Sequence, residues 1–255
     1  GNTSEEELQL SRALNTRVIE LIWPAVSKPN KNLPTSASEI RRIILNEGAP
    51  WVNLNNLLDY CWSIGLPVLH ISAFPPKSKK MDGLAFVKND RYAIVISKNS
   101  GHSAWLLFIL AHEIGHIINK HIGENGVLVD EVIDRNSTDA DEETANAFAL
   151  ELLTGDPGLT VSPIGSGRNA RRLAEAAYQA GTQEKIDPGH IVLNCAYQMG
   201  SDFFPIANAA LNLLEPKADA VNLIRSKMLK NLNKNKLSED TYNFILRISG
   251  YGTHS

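Results

Sequence analysis

The pentapeptide His112-Glu113-Ile114-Gly115-His116 follows directly on an apolar run, Ala104-Trp105-Leu106-Leu107-Phe108-Ile109-Leu110-Ala111. Few folds accommodate that combination. A segment that is apolar nearly all round is a core helix. On a helix, two imidazoles four positions apart are offset by about 40° and by about 6 Å along the axis. His112 and His116 can therefore aim nitrogens at one point, and Glu113 faces the neighbouring side, where a metal-bound water would sit. Buried ionisable groups are costly unless paired, and a metal ion satisfies this set. A pair of structural histidines, or a partly exposed helix end, is the better account of a lone His and the worse one of the whole motif. Imidazole nitrogens, a carboxylate and an open fourth position point to Zn2+.

The third ligand must come from downstream. A third His on the same stretch, in the pattern H-E-x-x-H-x-x-G-x-x-H, would need Gly at 119 and His at 122, where the chain has Asn119 and Ile122. His121 is one position short and is expected to point elsewhere, as a surface histidine or one that supports a ligand from behind. The better source is residues 139–153, helical by propensity, with acids in the first turn where the helix dipole favours them. Glu142, Ala145, Asn146, Ala149, Leu152 and Leu153 share one stripe. Glu142 is the expected third ligand and Glu143 the alternative. Asn146, one turn after Glu142, is placed to orient a His ligand. An ordinary solvated helix start is the plain alternative for this acidic cluster.

Such a site leads to hydrolysis of an amide, with a peptide bond as the expected one. The metal lowers the pKa of its water and polarises the carbonyl. Glu113 takes the water's proton as general base and returns it to the leaving amine. For the group that stabilises the oxyanion, His190, Tyr178, Tyr197 and Arg168 are candidates of equal standing.

These residues also carry a resemblance. Leu110-Ala111-His112-Glu113-Ile114-Gly115-His116-Ile117-Ile118, followed by Glu142-Glu143-Thr144-Ala145-Asn146-Ala147-Phe148-Ala149-Leu150-Glu151-Leu152-Leu153, resembles the ImmA/IrrE family of bacterial zinc metallopeptidases. Val52–Leu58 through Gly65-Leu66-Pro67-Val68 looks like the family's helix leading into its first strand, and Asp82-Gly83 with Ala93–Ser97 like its sheet. Ile186–Val192 resembles a region found after the protease core in members fused to a DNA-binding domain. The resemblance covers residues 36–200. It implies a zincin-like core, His112, His116 and Glu142 as zinc ligands, and Glu113 as the catalytic base. It also implies a protein substrate, a helix-turn-helix transcriptional repressor whose cleavage relieves repression under stress. The chain departs from the family in having Thr154-Gly155 where members often have Met-Pro, and residues beyond 200 match no pattern.

The expected fold class is α+β: mainly helical, with a small three-stranded antiparallel or mixed sheet packed on the metal helix, plus a helical C-terminal region. Residues 1–35 read as an N-terminal helix and linker, 36–200 as the metallopeptidase domain and 201–255 as a helical extension. Helices are expected over 4–22 (ended by Pro24), 36–46, 53–64, 102–120 and 139–153, with further helices from 170 on. Strands are expected over 66–72, 84–88 and 91–97, the last two joined by Asn89-Asp90, a hairpin signal. A free edge of this sheet beside the metal would hold an extended peptide by strand addition. Residues 155–169, rich in Gly, Pro and Ser, read as mobile.

A hydrophobic content of 43% and a charged content of 21% fit a soluble globular protein. A net charge of −3 argues against direct nucleic-acid binding, and Lys77, Lys79 and Lys80 beside Pro75-Pro76 read as a solvated loop. Cys61 and Cys195 set no disulfide framework and read as buried thiols of a reducing, cytoplasmic protein. No stretch is long and apolar enough to cross a membrane. The chain begins Gly1-Asn2-Thr3, and a further domain is expected upstream. Two readings compete with the peptidase: a regulatory or antitoxin-like binding module with a vestigial zinc site, and a small-molecule amidase. An intact Glu113 favours an enzyme, because a structural zinc has no use for it.

Overall fold

The computed structural model describes residues 2–27, 33–72, 82–122, 126–130, 139–160 and 169–251. The Lys77, Lys79 and Lys80 cluster, Arg168 and most of the stretch read as mobile fall outside these residues. In chain order the elements are α1 (Asn2–Ile22), α2 (Ala37–Asn46), α3 (Leu54–Ser63), β1 (Val68–His70), β2 (Gly83–Lys88), β3 (Arg91–Ile96), α4 (Ser103–Ile118) and β4 (Val127–Asp130). They continue with α5 (Ala140–Thr154), α6 (Ala170–Glu184), α7 (Pro188–Met199), α8 (Phe204–Leu214), α9 (Ala220–Asn231) and α10 (Glu239–Ile248). The class is α+β, mainly helical, as the sequence reading has it.

Local chemistry explains where these elements begin. Ser36 caps α2 by accepting from Glu39 N–H, while Glu39 accepts from Thr35 N–H. Asn53 and Asn56 form a reciprocal capping pair on α3. Asp139, Asn169 and Asp187 do the same service for α5, α6 and α7. Asn89 and Asp90 both adopt left-handed backbone, with φ of 51° and 56°. That is the two-residue turn whose twist matches a tight β2–β3 hairpin.

The sheet has the order β1-β3-β2-β4, with β1 parallel to β3 and the other pairs antiparallel. The three strands read from the sequence are all present. The added β4 is only four residues long and lies between the helices expected over 102–120 and 139–153, where the sequence reading places no strand. It occupies the outer edge of β2, so the strand addition expected at the edge of a three-stranded sheet cannot take place on β2.

Both faces of the sheet are covered. Val68, Ala85, Ile94 and Ile96 face α4, together with residues of α2, α3, α5 and α9. Leu69, Leu84, Phe86, Ala93 and Val95 face the other way, onto Val18, Ile19 and Ile22 of α1 and onto Met228, Ile245 and Ile248. A third cluster joins α6, α7 and α8 to Ala104 at the start of α4. The segment after residue 200, which matched no pattern, thus packs into the same cores as the rest. Cys61 and Cys195 are both buried and form no disulfide. Among the described residues no helix is long and apolar enough to cross a membrane.

His70, at the end of β1, is fully buried, and its Nε2–H donates to Lys98 O at 3.2 Å. Burial lowers its pKa from 6.5 to about 4, against a smaller upward pull from the Lys98 carbonyl. A depressed histidine stays neutral in the fold while the unfolded chain protonates. Its contribution is therefore complete above pH 6.5 and is lost as the pH falls toward 4. The loss amounts to at most about 3 kcal/mol. Urea midpoints measured against pH should fall more steeply over that window for the unaltered chain than for His70→Gln; parallel curves would refute this.

Candidate metal centre

Helix α4 is buried along its length: Ala104, every residue from Leu106 to Ile117, and both motif histidines. It lies between β2 and β3 on one side and α5 on the other. The closeness of α4 and α5 depends on two small residues. A Cβ placed on Gly115 would lie 3.1 Å from Ala145 Cα and 3.2 Å from Phe148 Cβ. A side chain there would push the helices apart, which explains the Gly within the motif. Ala145, Asn146, Ala149, Leu152 and Leu153, the stripe read from the sequence, are all buried.

This packing brings the first turn of α5 over the two histidines. Asp139 caps it, accepting from Asp141 N–H at 3.0 Å and Glu142 N–H at 3.4 Å. Glu142 Oε2 lies 3.4 Å from His112 Nε2, and Glu142 Oε1 lies 3.4 Å from His116 Nε2. One ligand atom from each of the three residues falls within 4.8 Å of the others, a group that could hold a metal ion. Glu143 is exposed and outside this group.

The donor chemistry fits a cation. Asn146 Oδ1 lies 3.1 Å from His112 Nδ1. An amide oxygen only accepts, so the proton sits on Nδ1 and Nε2 carries a bare lone pair. His116 Nε2 is 2.9 Å from that lone pair, and the carboxylate is adjacent to both. With His116 also unprotonated at Nε2, three electron-rich atoms at such distances repel unless a positive centre lies among them. The separations and the imidazole–carboxylate set are those of a two-His, one-carboxylate metal site.

Of the two places expected for His121, the surface or behind a ligand, the second is the one observed: it faces His116, with the two Nδ1 atoms 2.9 Å apart. Glu113 is fully buried on the sheet side of α4. Its carboxylate lies against Gly83, the first residue of β2, where a Cβ would collide with Oε1. Glycine is needed there because another group approaches the backbone closely. Sequence reasoning missed this role of Gly83; the one available signal was a Gly opening a strand.

The oxyanion candidates separate. His190 is buried and stacks on Phe108, ring centroids 6.0 Å apart, and Phe108 in turn lies 6.3 Å from the His112 ring. Tyr178 is largely exposed and packs on Trp51, while Tyr197 packs on Trp105 and Phe204. Arg168 lies outside the described residues.

Residues 68–175 match the family model Peptidase_M78, the IrrE N-terminal-like domain. The match spans less than half of the chain and contains all four motif residues. It bears out the resemblance to the ImmA/IrrE family. No curated protein matches the chain. Residues 68–175 thus form a metallopeptidase-like domain with three residues able to hold a metal.

Proposed function

We propose, on the premise that residues 68–175 are an IrrE N-terminal-like peptidase domain, that this chain is a zinc-dependent endopeptidase acting on a protein substrate. The observation that supports this most is the convergence of His112, His116 and Glu142 beside a buried Glu113. Two imidazoles and one carboxylate leave a coordination position open, as a catalytic site requires. A zinc ion held there would supply a Lewis acid for the scissile carbonyl and a water of lowered pKa.

The chain's own residues supply the rest. Asn146 holds the His112 ring with Nε2 turned inward. Glu113 accepts the proton of the attacking water and delivers it to the departing amine. Gly83 gives the Glu113 carboxylate its place against the strand. The buried wall around Glu113 keeps bulk water from competing for that proton.

A polypeptide is the favoured substrate over a small amide. With β2 flanked on both sides, the outer strands are β1 and β4; β4 pairs with β2, the strand against which Glu113 lies, and its other edge is the one offered to an extended peptide. The family resemblance suggests a helix-turn-helix repressor as the natural target and a cytoplasmic, bacterial setting. The test is to measure bound metal in the purified chain, then incubate it with the repressor encoded beside its gene. The expected outcome is about one zinc per chain and a pair of fragments, identified by mass spectrometry, from cleavage at one bond. Binding of an intact repressor without cleavage would replace the peptidase with the binding-module reading.

A further inference from the structure

We infer that His121 is a positioning residue for the metal site, holding His116 from behind as Asn146 holds His112. The inference rests on the metal reading above and adds a residue to it. It begins with how α4 ends. Asn119 terminates the helix, and Lys120 takes left-handed backbone with φ of 58°. Lys120 N–H then donates to Ile117 O at 3.3 Å, and His121 N–H donates to His116 O at 3.1 Å. This six-to-one closure folds the residue after the turn back onto the residue five positions earlier. Helix ends of this kind commonly make an apolar contact at that point. Here the pair is His121 and His116, and the contact is polar.

A ligand that binds metal through Nε2 keeps its proton on Nδ1 and needs an acceptor for it. His116 Nδ1 has His121 Nδ1 at 2.9 Å. For His121 Nδ1 to accept, the His121 proton must sit on Nε2, and that nitrogen lies 3.7 Å from Asp141 Oδ1. Asp141 belongs to the same first turn of α5 as Glu142. The Nε2–H of His121 is thus turned toward the helix that carries Glu142, leaving Nδ1 for His116. His121 is largely buried, its side chain only 8% exposed, so its ring is held in this place by packing.

The test is zinc affinity by chelator competition on the full chain, with Co2+ absorption as a second readout. Three variants are compared: His121→Leu and His121→Lys, which remove the acceptor, and His121→Asn, which restores one, as Asn146 does on the other ligand. Either acceptor-free variant that folds is expected to bind zinc roughly 10- to 100-fold more weakly, with an altered Co2+ spectrum. His121→Asn should recover most of the affinity. Variants that all bind zinc like the unaltered chain overturn the inference alone. An unaltered chain that binds no zinc overturns the metal reading and this one with it. A loss shared equally by Asn, Leu and Lys would mean that packing, not hydrogen bonding, is what His121 provides, and would also overturn it.

Discussion

Glu113→Gln is expected to leave zinc binding unchanged and to slow peptide hydrolysis by roughly 10^2–10^4-fold, the usual contribution of a positioned general base. The side chain is fully buried and packed against Gly83, so its shape is fixed by surroundings that a Gln fits equally well. What the amide lacks is a basic oxygen to take the water's proton. The charge removed is buried, so the fold should not suffer from its loss. The measurement is kcat on a cleavable protein substrate, with bound zinc quantified in the same samples. Cleavage at the unaltered rate would refute the proposed mechanism. Lost zinc would show instead that Glu113 helps hold the metal.

Arg41→Ala carries the largest expected effect on stability, about 3 kcal/mol. Arg41 sits on α2 and is 9% exposed. Its Nη1 donates to Leu153 O at 2.8 Å, and its Nη2 donates to Lys185 O at 2.8 Å. Longer contacts reach Leu152 O and Glu184 O. These are the terminal carbonyls of α5 and α6, where helix dipoles favour a cation. One guanidinium therefore closes two helices at once. Burial lowers its pKa, yet a guanidinium remains charged throughout the accessible range. Truncation would leave both sets of carbonyls without their donors in a half-closed space. Arg41→Lys should restore only part of the loss, since a point charge cannot span both ends. Urea unfolding followed by circular dichroism checks this, and a shift below about 0.5 kcal/mol would be that of an ordinary surface residue.

Much of the site was legible because it is local. Spacing within one helix placed His112 and His116, and the stripe on α5 placed Glu142 and Asn146, because helical periodicity survives folding unchanged. The Asn89-Asp90 turn was legible for the same reason. Arg41 was not, since its partners lie 112 and 144 positions away, and nothing local distinguishes a clamping arginine from a solvated one. Strand β4 is too short to show alternation and takes its identity from pairing with β2. For His121 the sequence left two places open, the surface or behind a ligand, because only the left-handed Lys120 turns the chain back onto His116. The packing of α9 and α10 on the sheet depends on contacts remote in sequence, which only the assembled fold supplies.

The three residues able to hold a metal do not meet water alike. The side chains of His112 and His116 are 0% exposed, and that of Glu142 is 22% exposed. The histidines form the floor of a socket sunk in the core, and the carboxylate is its doorpost. Under the proposed function, an ion loading into the chain, or being stripped from it, would pass Glu142, the first contact made and the last one released. Under the proposed function a chelator, a competing ion and a substrate carbonyl would all use that doorway. Substrate occupancy should then retain the metal by obstruction, without any change in the strength of its bonds to the two histidines.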